Sequence, residues 1–428
     1  MSLCITFGNY NKAYKYIWIY IIIKISLNLF FGSNFPEDIK IYLNKVLFPQ
    51  NILVQETFNY IGIVLFTMIL WTYKLRQNKN IKLNNSHVTP VNSSKHSSEI
   101  NLIYNEGKNN IKEVSVIFLI SIVFLLFLSN QLNHIFNIFE LKGLDYWMFE
   151  IAFICYISVH IFKITIYLHK KVAICIIIIF STAMKVISTY IIINNNSIPK
   201  LYNKYTWIIP VGIISFILII FIRGYSFCRL KWIFDLKYIS EIKILLIYGI
   251  IGSILCLIGS IISSNIQCID QNHFIDIKFI CKVKNGTYYD NFNTYFKGIW
   301  KEDRNGWINI IYVILMLNKI FASFLSNYLM ALIIKYLSPE YLICSKYIFY
   351  FITELLTFII DNYNSYILFN LLAEVFAILG AFLYLEFIEL KFYKMDYYLK
   401  KNIMKRSSIE TNLDIIGGFN DNDSERND

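Results

Sequence analysis

Residues 307–336 read WINIIYVILMLNKIFASFLSNYLMALIIKY, residues 341–360 read YLICSKYIFYFITELLTFII, and residues 367–390 read ILFNLLAEVFAILGAFLYLEFIEL. Each stretch meets or exceeds the roughly 20 apolar residues that a helix needs to cross a ~30 Å hydrocarbon core. The joints at 338–340 and 361–364 are so short that consecutive helices must run antiparallel. The sequence therefore predicts a tight unit of three membrane-spanning helices.

The composition of the whole chain agrees with this prediction. Hydrophobic residues make up 56% of the chain and charged residues only 16%, and the charges gather between the apolar runs. A soluble domain distributes its charges through every element, so we expect a polytopic helical membrane protein whose partner is the lipid bilayer. The net charge of +11 does not indicate nucleic acid, because no soluble domain is expected to present a basic face. Cytoplasmic loops that face anionic lipid explain the excess.

Apolar segments of this kind recur along the chain, and they predict an all-α fold with about ten transmembrane helices. The second and third segments are short, so nine or eleven helices remain open. The segments are 14–31, 58–73, 113–129, 146–168, 172–193, 206–223, 242–264, 307–336, 341–360 and 365–390.

The distribution of Lys and Arg predicts the orientation of these segments. Basic residues cluster in the linker 74–112, at 169–171, at 223–243 and in the tail 391–428. With ten spans these regions all fall on one side, which the positive-inside rule makes cytoplasmic. Both termini are then cytoplasmic, in an endomembrane or the plasma membrane. The linker and the part of the tail after Ser407 are polar and poor in aromatic residues, so we expect them to be disordered.

The longest loop on the opposite side, 264–306, has features of an oxidising compartment. It contains Cys268, Cys281 and the glycosylation acceptor Asn285, and another outer loop contains the acceptor Asn195. These residues predict a glycoprotein. Whether Cys268 pairs with Cys281 stays open, because presence in one loop does not fix a disulfide.

Two segments have small residues repeated every three or four positions. Lipid provides little hydrophobic force between helices, so such faces predict close helix contacts without any catalytic meaning. The residues are Gly249, Ser253, Cys256, Ser260 and Ser263 in the seventh segment, and Ala373, Ala377 and Ala381 in the tenth.

Five charged residues fall deep inside the predicted spans: Lys24, Lys185, Lys319, Glu354 and Glu374. At ~1.5 Å per residue they lie roughly 9–18 Å from the outer ends, so they predict one cavity near the midplane. A pair between Lys319 and one of the two glutamates is sterically plausible. The alternative for Lys24 and Lys185 is that they extend toward the interface. Charges closer to segment ends, such as Glu150 and Glu386, are expected to be interfacial.

No enzyme signature occurs in the chain. GxSxG, HExxH, a Gly-rich phosphate loop and paired loop carboxylates are all missing, and the eight cysteines show no metal-ligand spacing. We therefore predict no catalytic residues, no metal and no cofactor. A lipid-modifying enzyme would require a polar cluster that opens laterally to the bilayer.

The run ALIIKYLSPE at 331–340 resembles the joint between the eighth and ninth helices of the drug/metabolite transporter superfamily, where lysine, an aromatic residue, leucine, serine and proline precede two final helices. Ten helices, cytoplasmic termini and a long cysteine-containing outer loop are similar to its chloroquine-resistance-transporter-like branch, although this loop has fewer cysteines. The resemblance implies two inverted five-helix repeats, 1–200 and 206–390, around a central cavity.

The expected function is transport of a small organic solute by alternating access. Protonation of Glu354 or Glu374 is expected to couple transport to a proton gradient. The alternative is a receptor or scaffold that does not transport and binds a partner through its outer loop 264–306. That alternative predicts helices packed without a central cavity and intramembrane charges neutralised in pairs.

Overall fold

The fold is all-α in the computed structural model, which describes residues 14–31, 52–85, 116–138, 147–162, 168–194, 208–237, 239–265, 292, 296, 306–360 and 365–388. The described residues form ten helices, and the fifth contains one π-helical turn, Ile176–Ser181. The helices are α1 Tyr14–Phe31, α2 Ile52–Asn85, α3 Val116–Ile138, α4 Trp147–Phe162, α5 168–194, α6 Ile208–Lys237, α7 Glu241–Asn265, α8 Gly306–Tyr336, α9 Pro339–Ile360 and α10 Ser365–Tyr384.

The ten helices coincide with the ten predicted segments, but α2 and α6 are much longer than expected. Hydropathy ends both segments at their first charged residues, whereas the helices continue to Asn85 and Lys237. Residues 74–85 contain no Gly or Pro and several good helix formers, so the backbone has no reason to stop. The prediction of disorder is wrong for 74–85, and Arg223 is in the middle of a helix rather than in a cytoplasmic loop.

Two smaller predictions need correction near the end of α10: that the helix continues to residue 390, and that Glu386 is interfacial. The helix ends at Tyr384 instead of continuing to 390, and Glu386 adopts a left-handed backbone with φ 60°. Its carboxylate lies 3.3 Å from His169 Nε2, with about a fifth of the side chain exposed. Glu386 therefore contacts α5 instead of pointing into solvent.

Four helical stretches are long and apolar enough to cross a membrane among the described residues: Leu53–Gln77, His169–Ser188, Glu241–Ile262 and Val313–Tyr336. Shorter apolar helices occur in α3 and α10. Large apolar side chains are exposed on the outer faces of the bundle, for example Leu65, which is 59% exposed. Soluble proteins rarely expose such continuous apolar surfaces, so these features indicate a membrane-embedded protein.

The helices pack in a regular order. Three of the contacts are between helices whose numbers differ by five: α2 with α7, α4 with α9, and α5 with α10. Helix α1 packs on α8 and α9, while α6 packs on α3 and α4. Helix α8 also packs on α2, and α3 packs on α7. Four helices, α1, α3, α6 and α8, are therefore held between the α2–α7 pair and the α4–α9 pair.

The small face predicted on α10 forms the contact with α5. Ala373, Ala377 and Ala381 are fully buried. A Cβ atom added at Gly380 would clash with the Ile177 side chain and lie 2.9 Å from the Ala173 carbonyl oxygen. The close approach of these backbones confirms the packing prediction for this segment.

Gly249, at one end of the small face predicted on α7, packs against α2. Cys256 and Ser260 are buried. A Cβ atom at Gly249 would lie 2.8 Å from the Val64 side chain, and one at Gly252 would clash with the ring of Tyr60. Glycine at these two positions therefore lets α2 and α7 meet closely at the centre of the molecule.

Candidate functional site: a polar central cavity

A cavity of about 340 Å³ lies at the centre of the helix bundle, enclosed by α1, α2, α3, α6, α7, α8 and α9. Its walls are mainly polar, although the surrounding helices are strongly apolar. The described lining residues are Tyr20, Lys24, Glu56, Asn59, Tyr60, Ile63, Asn130, Arg223, Phe227, Tyr248, Ser323, Ser326, Asn327, Met330, Lys346, Phe349 and Tyr350. None of these residues comes from α5 or α10.

The charges of this lining are predominantly positive. Lys24, Arg223 and Lys346 line the cavity together with one carboxylate, Glu56. The Arg223 side chain is only 7% exposed. The charges of Arg223 and Lys24 both act on Lys346, so the three cations lie within electrostatic range of one another. Charges at this depth are tolerated when they face a polar cavity, which is the arrangement found here.

Lys346 is held in place by a carboxylate behind the cavity wall. Its Nζ donates to Glu150 of α4, with Nζ–Oε2 and Nζ–Oε1 distances of 3.1 and 3.4 Å. The Glu150 side chain is fully buried, whereas that of Lys346 is 16% exposed. The same Nζ lies 5.7 Å from the centroid of the Phe227 ring. The ion pair therefore fixes one cation at the edge of the cavity and joins α4 to α9.

A tyrosine pair, Tyr60 and Tyr248, also lines the cavity. The hydroxyls of Tyr60 and Tyr248 are 3.2 Å apart, and their rings meet edge to face with centroids 5.2 Å apart. Asn130 Nδ2 donates to the Tyr248 hydroxyl over 2.6 Å. This network joins α2, α3 and α7 and leaves hydroxyl and amide groups at the cavity wall.

Asn59 lines the cavity and has a buried acceptor without a hydrogen-bond partner among the described residues. Its Nδ2 donates to Glu56 Oε1 over 3.2 Å, which fixes the orientation of the amide. The carbonyl oxygen Oδ1 has no hydrogen-bond partner among the described residues, although Asn59 is only 5% exposed. A buried acceptor without a partner is unfavourable, so a ligand or water that donates to it would be stabilised.

The structure places only one of the five predicted intramembrane charges, Lys24, in the cavity lining. Lys185 and Glu374 form an ion pair of 3.2 Å between α5 and α10. Lys319 and Glu354 are half-buried and do not belong to the described lining. Of the two glutamates predicted as possible partners of Lys319, Glu374 therefore pairs with Lys185 instead, because depth along a helix does not specify the direction in which a side chain points.

The remaining predicted site residues cannot be placed. Cys268, Cys281, Asn285 and Asn195 lie outside the described residues. The disulfide and the glycosylation sites therefore stay predictions.

Several cavity residues were not singled out from the sequence, and they share one property. Glu56 and Asn130 fall just outside the predicted segments, and Arg223 is the last residue of one. Lys346 follows Pro339, the first residue of α9, by about two turns and therefore resembles an interfacial lysine. A polar residue at the edge of an apolar segment, followed by further helix-forming residues, is the signal that could have found them.

A second charged cluster lies where α7 begins and α8 ends. Glu241 accepts hydrogen bonds from Lys335 over 2.6 Å and from Lys74 over 2.7 Å. Lys231 donates to the Lys335 carbonyl oxygen over 3.0 Å. Lys335 belongs to the 331–340 run, so this joint is held by α2, α6 and α7 together. The opposite charges of this cluster are matched directly.

Comparison with known proteins does not assign the site. No protein-family model matches the chain, and a search of curated proteins finds no matching relative. Within the part of the chain that the structure describes, no group of three or more His, Cys, Asp or Glu residues is placed to hold a metal ion. The chemistry of the cavity is therefore the basis for a functional proposal.

Proposed function

We propose that the protein is a multi-pass membrane transporter that carries a small organic solute through the central cavity by alternating access. The supporting observation is the polar, charged cavity in the core of an apolar helical bundle. Its volume of about 340 Å³ falls at the lower end of the roughly 300–1,000 Å³ typical of small-molecule sites. Charged residues inside a membrane-embedded bundle are costly, and they usually serve a solute or a pathway.

The proposal includes ten transmembrane helices arranged as two five-helix repeats, α1–α5 and α6–α10. The contacts between the two repeats support it, because exchanging the repeats converts each of these contacts into itself or another contact between the repeats. The α1–α8 contact corresponds to α6–α3, the α1–α9 contact to α6–α4, and the α2–α8 contact to α7–α3. The exchange leaves three contacts unchanged, because each joins a helix to its own counterpart: α2–α7, α4–α9 and α5–α10. An odd number of helices per repeat inverts the second repeat in the membrane, with a two-fold axis in the membrane plane.

Each of the helix pairs that this exchange leaves unchanged includes a polar contact between side chains. Examples are Tyr60 with Tyr248 on α2–α7, Lys346 with Glu150 on α4–α9, and Lys185 with Glu374 on α5–α10. The first two of these contacts contribute residues to the cavity lining. Under alternating access the repeats move relative to each other, so the residues that join the repeats beside the cavity are placed to respond to a bound solute.

The alternative function, a receptor or scaffold, is less well supported. It predicts a packed centre with paired charges, whereas the lining of this cavity has an excess of cations. Two observations agree with it, the Lys185–Glu374 and Lys346–Glu150 ion pairs. Cytoplasmic termini, and coupling by protonation of Glu354 or Glu374, stay predictions. Replacing either glutamate with glutamine should abolish pH-driven uptake if coupling occurs there.

Uptake by the full-length chain in liposomes tests the transport proposal. The liposomes are offered a mixture of carboxylates, phosphate esters, sugars and amines, and their contents are analysed by mass spectrometry. Ser326→Trp places a large ring in the cavity, because Ser326 lines it and is 4% exposed. Ser121→Trp is the matched control, since Ser121 lies on the exposed face of α3.

We expect the wild type and Ser121→Trp to accumulate the same solute, and Ser326→Trp to match empty liposomes. The melting temperature of Ser326→Trp establishes that the variant is folded. Two results would overturn the proposal: no accumulation by the wild type, or wild-type accumulation by folded Ser326→Trp.

A further inference from the structure

We infer that the cavity binds a small organic anion, carrying a carboxylate or phosphate group, that also has a hydrogen-bond donor such as a hydroxyl. This inference deepens the proposed transport function and rests on it for its physiological role. It specifies the chemical class of the solute and the part of the cavity that recognises each end.

The charge balance of the cavity lining indicates that the ligand carries an anionic group. Three cations and one carboxylate, Glu56, belong to the described lining of the cavity. Counting Glu150, which lies behind Lys346, still leaves the balance positive. An anion bound among Lys24, Arg223 and Lys346 relieves the mutual repulsion of these cations, and the low dielectric strengthens the attraction. A bound organic cation would instead increase the repulsion.

Arg223 is the residue best suited to the anionic group. A guanidinium presents its donors in a fixed planar fork that matches the oxygens of a carboxylate or phosphate. Arg223 lies midway along α6 and lines the cavity. Lys24 and Lys346 lie on α1 and α9, so cations from both proposed repeats contribute to the anion site.

Two residues of α2 indicate that the ligand also carries a hydrogen-bond donor. Asn59 Oδ1 is a buried acceptor with no hydrogen-bond partner among the described residues, and Glu56 lies next to it in the lining. The hydrogen bond between Asn59 Nδ2 and Glu56 Oε1 directs the amide nitrogen to the carboxylate, which leaves Oδ1 as the group to be satisfied. A hydroxyl on the anion would supply the hydrogen bond that this oxygen lacks.

Binding is measured by the melting temperature of the full-length chain in phosphatidylcholine nanodiscs, with each probe raised to about 10 mM, above the usual range of substrate constants. The probes are L-malate, succinate, glycerol 3-phosphate and choline. Malate and succinate differ by one hydroxyl, so their ratio isolates the donor end. Stabilisation by malate indicates a site for carboxylates, and stabilisation by glycerol 3-phosphate indicates a site for phosphate groups.

We expect saturable stabilisation by malate, by glycerol 3-phosphate or by both, and none by choline. Stabilisation by choline alone, or by no probe, overturns the inference. One hydrogen bond should make malate bind about 3- to 10-fold more tightly than succinate. Equal affinity for the two dicarboxylates would refute the donor end.

Variants assign the two ends of the anion to their residues. Arg223→Gln should weaken anion binding by about tenfold or more, and Arg223→Lys should recover part of the loss. Arg229→Gln is the matched control on the same helix, because Arg229 donates to the Tyr225 hydroxyl over 3.0 Å and does not belong to the described lining. Asn59→Leu should remove the preference for malate while leaving succinate binding intact. Wild-type affinity in folded Arg223→Gln would contradict the assignment.

The inference and the transport proposal fail in different ways. Anion binding by a protein that accumulates no solute in liposomes would retain the anion site and refute transport. Uptake of a sugar or an amine without any anion binding would retain transport and refute the solute class.

Discussion

Two buried lysine–glutamate pairs in the described part of the chain have nearly the same geometry and different surroundings. Lys185 and Glu374 lie 3.2 Å apart on α5–α10, with side chains 9% and 1% exposed. Lys346 and Glu150 lie 3.1 Å apart on α4–α9, with side chains 16% and 0% exposed. Both pairs join the two proposed repeats. Only the second has a member in the cavity lining, so an ion pair alone does not identify a functional site.

The surroundings explain the difference. The α5–α10 pair lies in a close contact of small residues, where Ser181 Oγ donates to the Ala373 carbonyl oxygen over 2.8 Å. No described lining residue comes from either helix, so a solute in the cavity does not meet this pair. Lys346 faces the cavity together with Arg223 and Lys24. We therefore interpret the first pair as structural and the second as part of the site.

The largest effect is expected from breaking the structural pair on one side only. Glu374→Leu leaves the Lys185 ammonium buried without its carboxylate, which should lower the free energy of unfolding by about 3–5 kcal/mol. The double variant Lys185→Met/Glu374→Leu removes both charges and should recover most of the loss. Unfolding in mixed detergent micelles measures both. A double variant as unstable as the single one would contradict the structural interpretation.

Breaking the cavity pair should have a smaller effect on stability. Lys346→Met leaves Glu150 without its partner, but the space vacated beside the cavity lets water reach the carboxylate. We therefore expect a loss on the order of 2–3 kcal/mol in the same unfolding experiment. A larger loss than that of Glu374→Leu would remove the proposed distinction between the pairs.

Packing at the structural pair can be tested without changing any charge. A Cβ atom at Gly380 would meet the Ile177 side chain and the Ala173 carbonyl oxygen, so Gly380→Ala should cost about 1–2 kcal/mol. The control is Gly259→Ala on α7, where the added Cβ would lie 3.5 Å from Leu53, an ordinary contact distance. The difference between their unfolding free energies measures the closeness of α5 and α10. Equal effects would refute the close contact.

The smallest effect is expected where an ion pair is accessible to water. The Lys74 side chain is 40% exposed, although its Nζ lies 2.7 Å from Glu241. Exposed pairs contribute about 0–1 kcal/mol, so Lys74→Gln should have little effect on unfolding. Lys335→Gln is the comparison, because Lys335 is 29% exposed and 2.6 Å from the same carboxylate. A loss for Lys74→Gln as large as that for Glu374→Leu would show that exposure does not separate these pairs.

The helices could be predicted from the sequence because hydrophobic length is a property of the chain alone. The predicted segment 14–31 matches α1, and 242–264 matches α7 within one residue at each end. The contact faces were predictable for the same reason. Ala373, Ala377 and Ala381 fall on one side of any helix, and a membrane gives such a face few uses besides packing.

The cavity could not be predicted because it depends on directions around each helix. Lys185, Glu374 and Lys24 have similar depths, yet only Lys24 faces the cavity. Which way a side chain points depends on its neighbouring helices, and one sequence does not specify them. Hydropathy also ends a segment at a polar residue, so the residues that a cavity needs, such as Arg223 and Glu56, were assigned to the ends.

The most direct test of the account compares anion binding by two double variants in phosphatidylcholine nanodiscs. Lys346→Met/Glu150→Leu and Lys185→Met/Glu374→Leu each remove one buried pair without leaving a charge unpaired. The probe is whichever of malate and glycerol 3-phosphate stabilises the wild type more strongly. We predict that the first variant binds this anion about tenfold or more weakly, while the second retains wild-type affinity. Equal affinities for the two variants would contradict the assignment of the cavity as the anion site.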